Sequence, residues 1–279
     1  MARVLALLVA SGAIFCLAAG AAHGQATARY ADVVYSSGGL RIQAYLYKPD
    51  GDGPFPAVIY NHGSRVGRER ESVPFEHIGA LLTRAGYVVL VPERRGYGRS
   101  DGPSWPEAVG RDRGRFVPRL REETEDVLAA ADYLRAQPFL DAKRLGIMGW
   151  SFGGVVTMFA VSRSPLFAAA INQAGGALTW DDVPDIRVAL IEAAERSTTP
   201  TLLQVAENDR TTASIATVGT ILERRGVAHR TMVYAPFLPA QPGVAVGHRL
   251  FSAQGLSVWQ GDVLAFLGRH LGATVTPAR

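Results

Sequence analysis

The chain has 279 residues, of which 48% are hydrophobic and 19% charged. These values fit one large folded domain and exclude a disordered chain. The formal charge is only +4, the basic residues are Arg apart from Lys48 and Lys143, and they form no block or aromatic-interleaved stripe, so no nucleic-acid partner is expected.

The chain opens on Arg3, the only Asp, Glu, Lys or Arg before Arg29, and an apolar run from Val4 to about Ala19. Small residues follow. This layout predicts a secretory signal peptide over residues 1–24, cleaved after Gly24 or alternatively Ala26, and a single domain over 25–279. The run is short for a spanning helix and no basic flank follows it, so a secreted or periplasmic protein without stable membrane association is expected. Cys16 is the sole cysteine and lies inside the run, which predicts a mature chain with neither a disulfide nor a thiol nucleophile.

After the leader, Ala31–Tyr35 and Leu40–Tyr47 alternate around Ser36–Gly39, the pattern of an antiparallel hairpin. Ala57–Tyr60 reads as a buried strand ending at Asn61-His62-Gly63-Ser64. Phe75–Arg84 has helical spacing, stopped by Gly86, and Tyr87–Val91 is a second buried strand. A loop rich in Gly, Arg and Pro runs to about Pro118. Leu120–Leu134 is predicted to be an amphipathic helix whose early acidic residues favour the helix dipole. Strands are then predicted over Arg144–Trp150, Ala168–Asn172, Thr201–Val205 and His229–Tyr234. Helices are predicted over Phe152–Val161, within 175–199, over Ala213–Arg225 and over Val258–Leu271. Continuous apolar strands alternating with helices predict a mostly parallel, twisted sheet of about eight strands covered on both faces. The stretches 99–119 and 175–199 leave room for at most a small cap.

Chemistry is carried first by Gly149-Trp150-Ser151-Phe152-Gly153, a G-x-S-x-G sequence. It follows an apolar strand and opens a helix. A sharp turn there lifts the serine hydroxyl clear of the sheet, and the flanking glycines let strand and helix approach. A Gly-rich turn with a capping serine, as in a nucleotide-binding fold, is the bland alternative. Serine is a poor nucleophile at neutral pH and needs a base with an orienting acid. Downstream, His248 lies in a Gly-bearing loop, Gly243 to Gly247, whereas His229 begins a strand and His270 ends a helix. His248 is therefore the expected base. Asp209 stands just past the carboxyl end of a parallel strand, where such sites gather, and is the expected acid, with Glu207 the near alternative. The expected oxyanion donors are the N–H groups of Phe152 and Ser64. His62 is read as shaping the loop. Arg95–Ser100 is read as holding the loop after the preceding strand. Arg65, Arg68 and Arg70 are read as a solvated face rather than a site for acidic substrates. Trp150 and Phe152 flank the serine and could line an acyl pocket, with core packing the equal alternative, and Trp150 is the candidate for substrate binding.

Taken together, Asn61-His62-Gly63, Arg94-Arg95-Gly96-Tyr97-Gly98-Arg99-Ser100, the Ser151 motif with Gly154, Asp209 and Gly247-His248 resemble an α/β-hydrolase over roughly residues 30–272. Within that superfamily the chain is similar to the dienelactone-hydrolase and prolyl-oligopeptidase-like branch. The resemblance implies a Ser-His-Asp triad acting on a small-molecule ester with no metal or organic cofactor. Dienelactone hydrolases carry a cysteine nucleophile where this chain has Ser151, which turns the expectation from lactones to ordinary esters. Peptidases of the branch carry an N-terminal propeller domain, and only the leader is read ahead of the hydrolase here, which turns it away from peptides. A peptidase or amidase, an acyltransferase and a non-catalytic binding protein stay open as alternatives, and the oligomeric state is not read from the sequence.

Overall fold

The computed structural model describes residues 29–239 and 245–272. The expected leader over 1–24 and Gly243 lie outside them. The hairpin forms as β1 (Tyr30–Ser37) and β2 (Leu40–Tyr47), antiparallel throughout. Six further strands join it: β3 (Phe55–Asn61), β4 (Val88–Pro92), β5 (Leu140–Trp150), β6 (Ala169–Gln173), β7 (Thr201–Ala206) and β8 (His229–Tyr234). Their order is β1-β2-β4-β3-β5-β6-β7-β8. β2 meets β4 antiparallel, and every pair from β4 to β8 is parallel.

The central strands are buried on both faces, as continuous runs such as Val88–Val91 and Ala169–Ile171 require. The covering helices are α1 (Glu76–Arg84), the short α2 (Trp105–Ala108), α3 (Phe116–Arg135), α4 (Phe152–Arg163), α5 (Pro184–Arg196), α6 (Ala213–Arg224) and α7 (Leu256–Leu271). α3, α4, α5 and α6 pack side by side in one layer, and α1 meets α7. α4 is apolar from Val155 to Val161 except for Thr157, whose hydroxyl accepts from Asn61 Nδ2 at 3.0 Å, and is accordingly buried between its neighbours and the sheet.

The helix expected from Leu120 begins earlier, at Phe116. Pro118 reads as a break, yet it sits in the first turn, where no intrahelical N–H is needed. That shift leaves the first turn without an acidic residue, so the carboxylates do not serve the dipole as expected. Glu123 and Asp126 are instead fully buried, facing arginines from the loop after β4.

The stretch 99–119 forms only α2, a 3-10 turn, Arg113–Arg115, and the first residues of α3. Its Arg113 Nη1 donates to the Asp182 carbonyl at 3.0 Å, and Asp182 also pairs with Arg210. The two stretches expected to form a small cap are thus joined to each other and to the turn after β7.

Candidate active site

Parallel strands end together, so the loops after β3, β5 and β7 meet at one edge of the sheet. Ser151 stands at the turn from β5 into α4, with φ 58° and ψ −123°. A non-glycine residue at this φ is strained, at a cost of about 1–3 kcal/mol that the surrounding packing must offset. Its N–H continues the ladder by donating to the Gln173 carbonyl at 2.9 Å. The close approach expected of the flanking glycines is present: a Cβ on Gly153 would lie 2.0 Å from the Asn61 carbonyl oxygen. The loop after β3 therefore rests on the start of α4. A Cβ on Gly63 would lie 3.1 Å from Ser151 Cβ, so a side chain there would press on the serine unless the loop moved by a few tenths of an ångström.

Asp209 sits in the turn after β7, where its N–H donates to the Ala206 carbonyl at 3.1 Å. Its Oδ2 is 2.8 Å from His248 Nδ1 and its Oδ1 3.1 Å from the same atom. Oδ1 also accepts from the Arg210 N–H at 2.7 Å. A carboxylate on Nδ1 fixes that nitrogen as the protonated one and leaves Nε2 as the acceptor. His248 Nε2 is buried and has no hydrogen-bond partner. The imidazole lies beside the serine's neighbour: its ring centre is 5.6 Å from that of Trp150, whose Nε1 donates to the His248 carbonyl at 3.1 Å. Glu207, the alternative acid, is exposed. His229 turns its Nδ1 to the Val227 carbonyl at 3.0 Å, and His270 packs on Phe266 at the end of α7.

The N–H groups of Phe152 and Ser64 make no hydrogen bond among the described residues. For Phe152 this follows from its place in the first turn of α4, whose N–H groups have no intrahelical acceptor.

Residues 74–185 match the prolyl oligopeptidase family. Dipeptidyl-peptidase 5 of Porphyromonas gingivalis is 29% identical over 143 residues, which cover 50% of this chain and 20% of that protein. Among solved structures, an acylaminoacyl peptidase in complex with Z-Gly-Gly-Phe-chloromethyl ketone superposes with a TM-score of 0.70 at 21% identity, covering 89% of this chain and 43% of that one. The Pyrococcus furiosus esterase Pf2001 superposes with a TM-score of 0.62 at 17% identity, covering 88% and 92%. The chain has the α/β-hydrolase fold. Its likeness to the prolyl oligopeptidase family lies in the stretch that holds α1, β4, α3, β5 and the serine turn, and it spans a fifth of the length of the dipeptidyl-peptidase.

In this α/β-hydrolase fold a second set of residues surrounds the site, only part of which the sequence suggested. Arg65 is buried and its guanidinium pairs with the fully buried Glu93, which corrects the expectation of a solvated face. Arg68 is exposed and pairs with Glu71, while Arg70 donates to the carbonyls of Ser100 and Gly102, both at 2.8 Å. Arg94 is fully buried, with Nε on Glu123 at 2.7 Å and Nη2 on the His62 carbonyl at 2.9 Å. Arg95 meets Asp126 through two nitrogens at 2.8 and 3.0 Å, holding the loop after β4 as expected of the Arg95–Ser100 segment. His62 does shape its loop: Nδ1 lies 2.7 Å from the Gly63 carbonyl. Burial, then the charges of Arg94 and Arg65, hold its pKa well below the usual histidine value, so it stays neutral. Phe152 packs against Trp105 and Phe116, with ring centres at 5.1 and 6.3 Å, so the residue after the serine is braced by the small cap.

The buried arginines had one legible signal. Arg119, Glu123 and Asp126 recur at helical spacing on the same face as Leu120, Val127 and Ala130, a pattern in which charge must be paired in the interior.

Proposed function

We propose that the chain is a serine hydrolase that cleaves carboxylic esters through an acyl-enzyme on Ser151. The observation that carries this is the Asp209–His248 pair at 2.8 Å with Nε2 unpartnered, set beside a serine held at positive φ. His248 Nε2 takes the hydroxyl proton as Ser151 attacks the carbonyl. The N–H groups of Phe152 and Ser64 receive the oxyanion, and Asp209 stabilises the imidazolium. His248 then protonates the leaving alkoxide and later activates water to release the acid. The Oγ–Nε2 hydrogen bond is not made in this conformation. Such bonds commonly tighten only with substrate in place.

Ester cleavage is the less demanding task for this arrangement, because an ester carbonyl is more electrophilic than an amide and an alkoxide leaves more readily than an amine. A peptidase reading has its own support in the family match over 74–185 and the similarity to dipeptidyl-peptidase 5. A fluorophosphonate probe tests the shared mechanism. Wild type should be labelled, Ser151→Ala should not, and His248→Ala should label far more slowly. Folded wild type that resists the probe would overturn the proposal. Chain-matched p-nitrophenyl esters and peptide p-nitroanilides then separate the two readings: a higher kcat/KM on anilides would favour the peptidase.

A further inference from the structure

We propose that Glu93 and Arg94 are positioning residues that fix the Ser64 N–H as the second oxyanion donor. The inference rests on the serine-hydrolase reading above.

A loop that supplies an oxyanion donor has to be held from outside itself. Neither Gly63 nor Ser64 donates to a described backbone carbonyl, and Ser64 is exposed. The groups on either side of Ser64 are nevertheless fixed, and both are fixed by the same dipeptide. On the near side, Arg94 Nη2 donates to the His62 carbonyl at 2.9 Å. On the far side, Glu93 accepts both terminal nitrogens of Arg65. Glu93 also accepts the Val73 N–H at 2.8 Å, and its Oε2 lies 3.7 Å from His62 Nε2.

The clamp is itself anchored. Arg94 Nε donates to Glu123 on α3 at 2.7 Å, and Arg119, one turn earlier, donates to the same carboxylate at 3.1 Å. Arg119 also reaches the carbonyls of Arg95 and Pro103. The Tyr97 ring fills the space between, 4.6 Å from the His62 ring and within 6 Å of both the Arg65 and Arg94 guanidinium carbons. Glu93, Arg94, Glu123 and His62 are all fully buried. Buried ion pairs give no more stability than well-packed apolar side chains of the same volume, so stability is a weak reason for this set. Orientation is a better one. An apolar side chain could fill the space beneath the loop but could not hold the His62 carbonyl.

Donors act on a developing oxyanion only when aimed in advance, and a displacement of about 1 Å can cost about 100-fold. Arg94→Met should therefore lower kcat by about 10- to 100-fold on a p-nitrophenyl ester, less than the roughly 100- to 1000-fold of losing a donor outright. KM should change by less than about threefold, because the carbonyl is barely charged in the ground state. Affinity for a trifluoromethyl ketone, whose hemiketal places an oxyanion in the hole, should fall in step with kcat/KM. The pH dependence of kcat/KM should keep its position, because Asp209 and His248 are untouched. Arg94→Lys, which keeps a charge and a donor, should recover part of the loss. Should Arg94→Met fail to fold, Arg94→Lys is read on the same four measurements.

A folded Arg94 variant with wild-type kcat overturns the proposal. So does a loss shared by KM and accompanied by a shifted pH profile, which marks general disruption. Wild type that neither labels nor turns over removes the serine-hydrolase reading and this one with it. Active wild type beside indifferent Arg94 variants removes this one alone.

Discussion

The two sides of Ser151, the proposed oxyanion side and the proposed acid–base side, are built differently. On the oxyanion side, the turn His62–Ser64 is backed by the buried charges of Arg65, Glu93, Arg94, Glu123 and Arg119 and by the rings of Tyr97 and Phe75. On the acid–base side, His248 is held by the Asp209 carboxylate, by Trp150 Nε1 on its carbonyl and by its own N–H on the Ala245 carbonyl. Among the described residues, the stretch after β8 is tied to the turn that carries Asp209 through Asn208, which exchanges two hydrogen bonds of 2.9 Å with Phe237. The difference follows the chemistry. An oxyanion hole gains from donors that do not move at all, whereas a base must take a proton from one atom and deliver it to another. Buried charge on one side and an imidazole oriented by one carboxylate on the other suit those two tasks.

The sharpest way to separate the sides is Asp209→Asn. The amide is close in shape but presents an N–H or a weaker acceptor to Nδ1, so the histidine loses its tautomer and the stabilisation of its charged form. A fall in kcat of about 10⁴-fold is expected, with the oxyanion side still supplying the residual rate. Steady-state kinetics on one ester suffice. A loss under tenfold would mean that another acid, with Glu207 the first to examine, orients the base.

The oxyanion side should in turn be the more sensitive to acid. His62 is held neutral by burial and neighbouring charge, and burial lowers the His77 pKa to about 4. Both pack against Phe75 with ring centres at 6.1 Å, His62 stacked and His77 tilted. A folded pKa below the unfolded value of about 6.5 means that the unfolded chain takes the proton first. The stability contribution is therefore complete above about pH 6.5 and is lost as pH falls, towards 4 for His77. For His77 alone the loss is on the order of 3 kcal/mol. Urea denaturation at pH 7 and pH 4 should show this slope in wild type and a shallower one in His77→Phe. Equal slopes would place the acid sensitivity elsewhere.

This asymmetry was only half visible in the sequence. The acid–base side follows from chain order, since a nucleophile at a strand-to-helix turn, an aspartate past a later strand and a histidine in a late loop can each be read from one local pattern. The sheet was legible for the same reason, because apolar runs such as Tyr87–Val91 have few other uses. On the oxyanion side the sequence offered Phe152 and Ser64 but not the buried charges behind them. Arg65 and Glu93 are 28 positions apart and Arg94 and Glu123 are 29 apart, so no local pattern joins them. A buried arginine and a solvated one are also the same letter. β5 likewise starts at Leu140 rather than Arg144: Leu140 pairs with Phe55 of β3, and the register shifts across the polar stretch from Asp141 before pairing resumes at Leu145. Polar residues conceal structure wherever their partners are distant.

The finest distinction concerns Trp150, which the sequence offered to the substrate and the structure bonds to the base. Its indole is half-buried, with Nε1 3.1 Å from the His248 carbonyl. Trp150→Phe keeps a ring beside the imidazole and removes that donor. One neutral hydrogen bond contributes about 1 kcal/mol net, so kcat should fall about fivefold if the bond steadies His248. Such a loss would be the same for acetyl, butyryl and octanoyl esters, because the acyl chain would not meet the altered atom. A ring that lines the acyl pocket predicts the opposite pattern, with kcat nearly constant and KM rising with chain length as apolar contact is lost. The three esters measured with both proteins decide between these outcomes. The uniform loss would place Trp150 with Asp209, on the side of the serine that handles the proton.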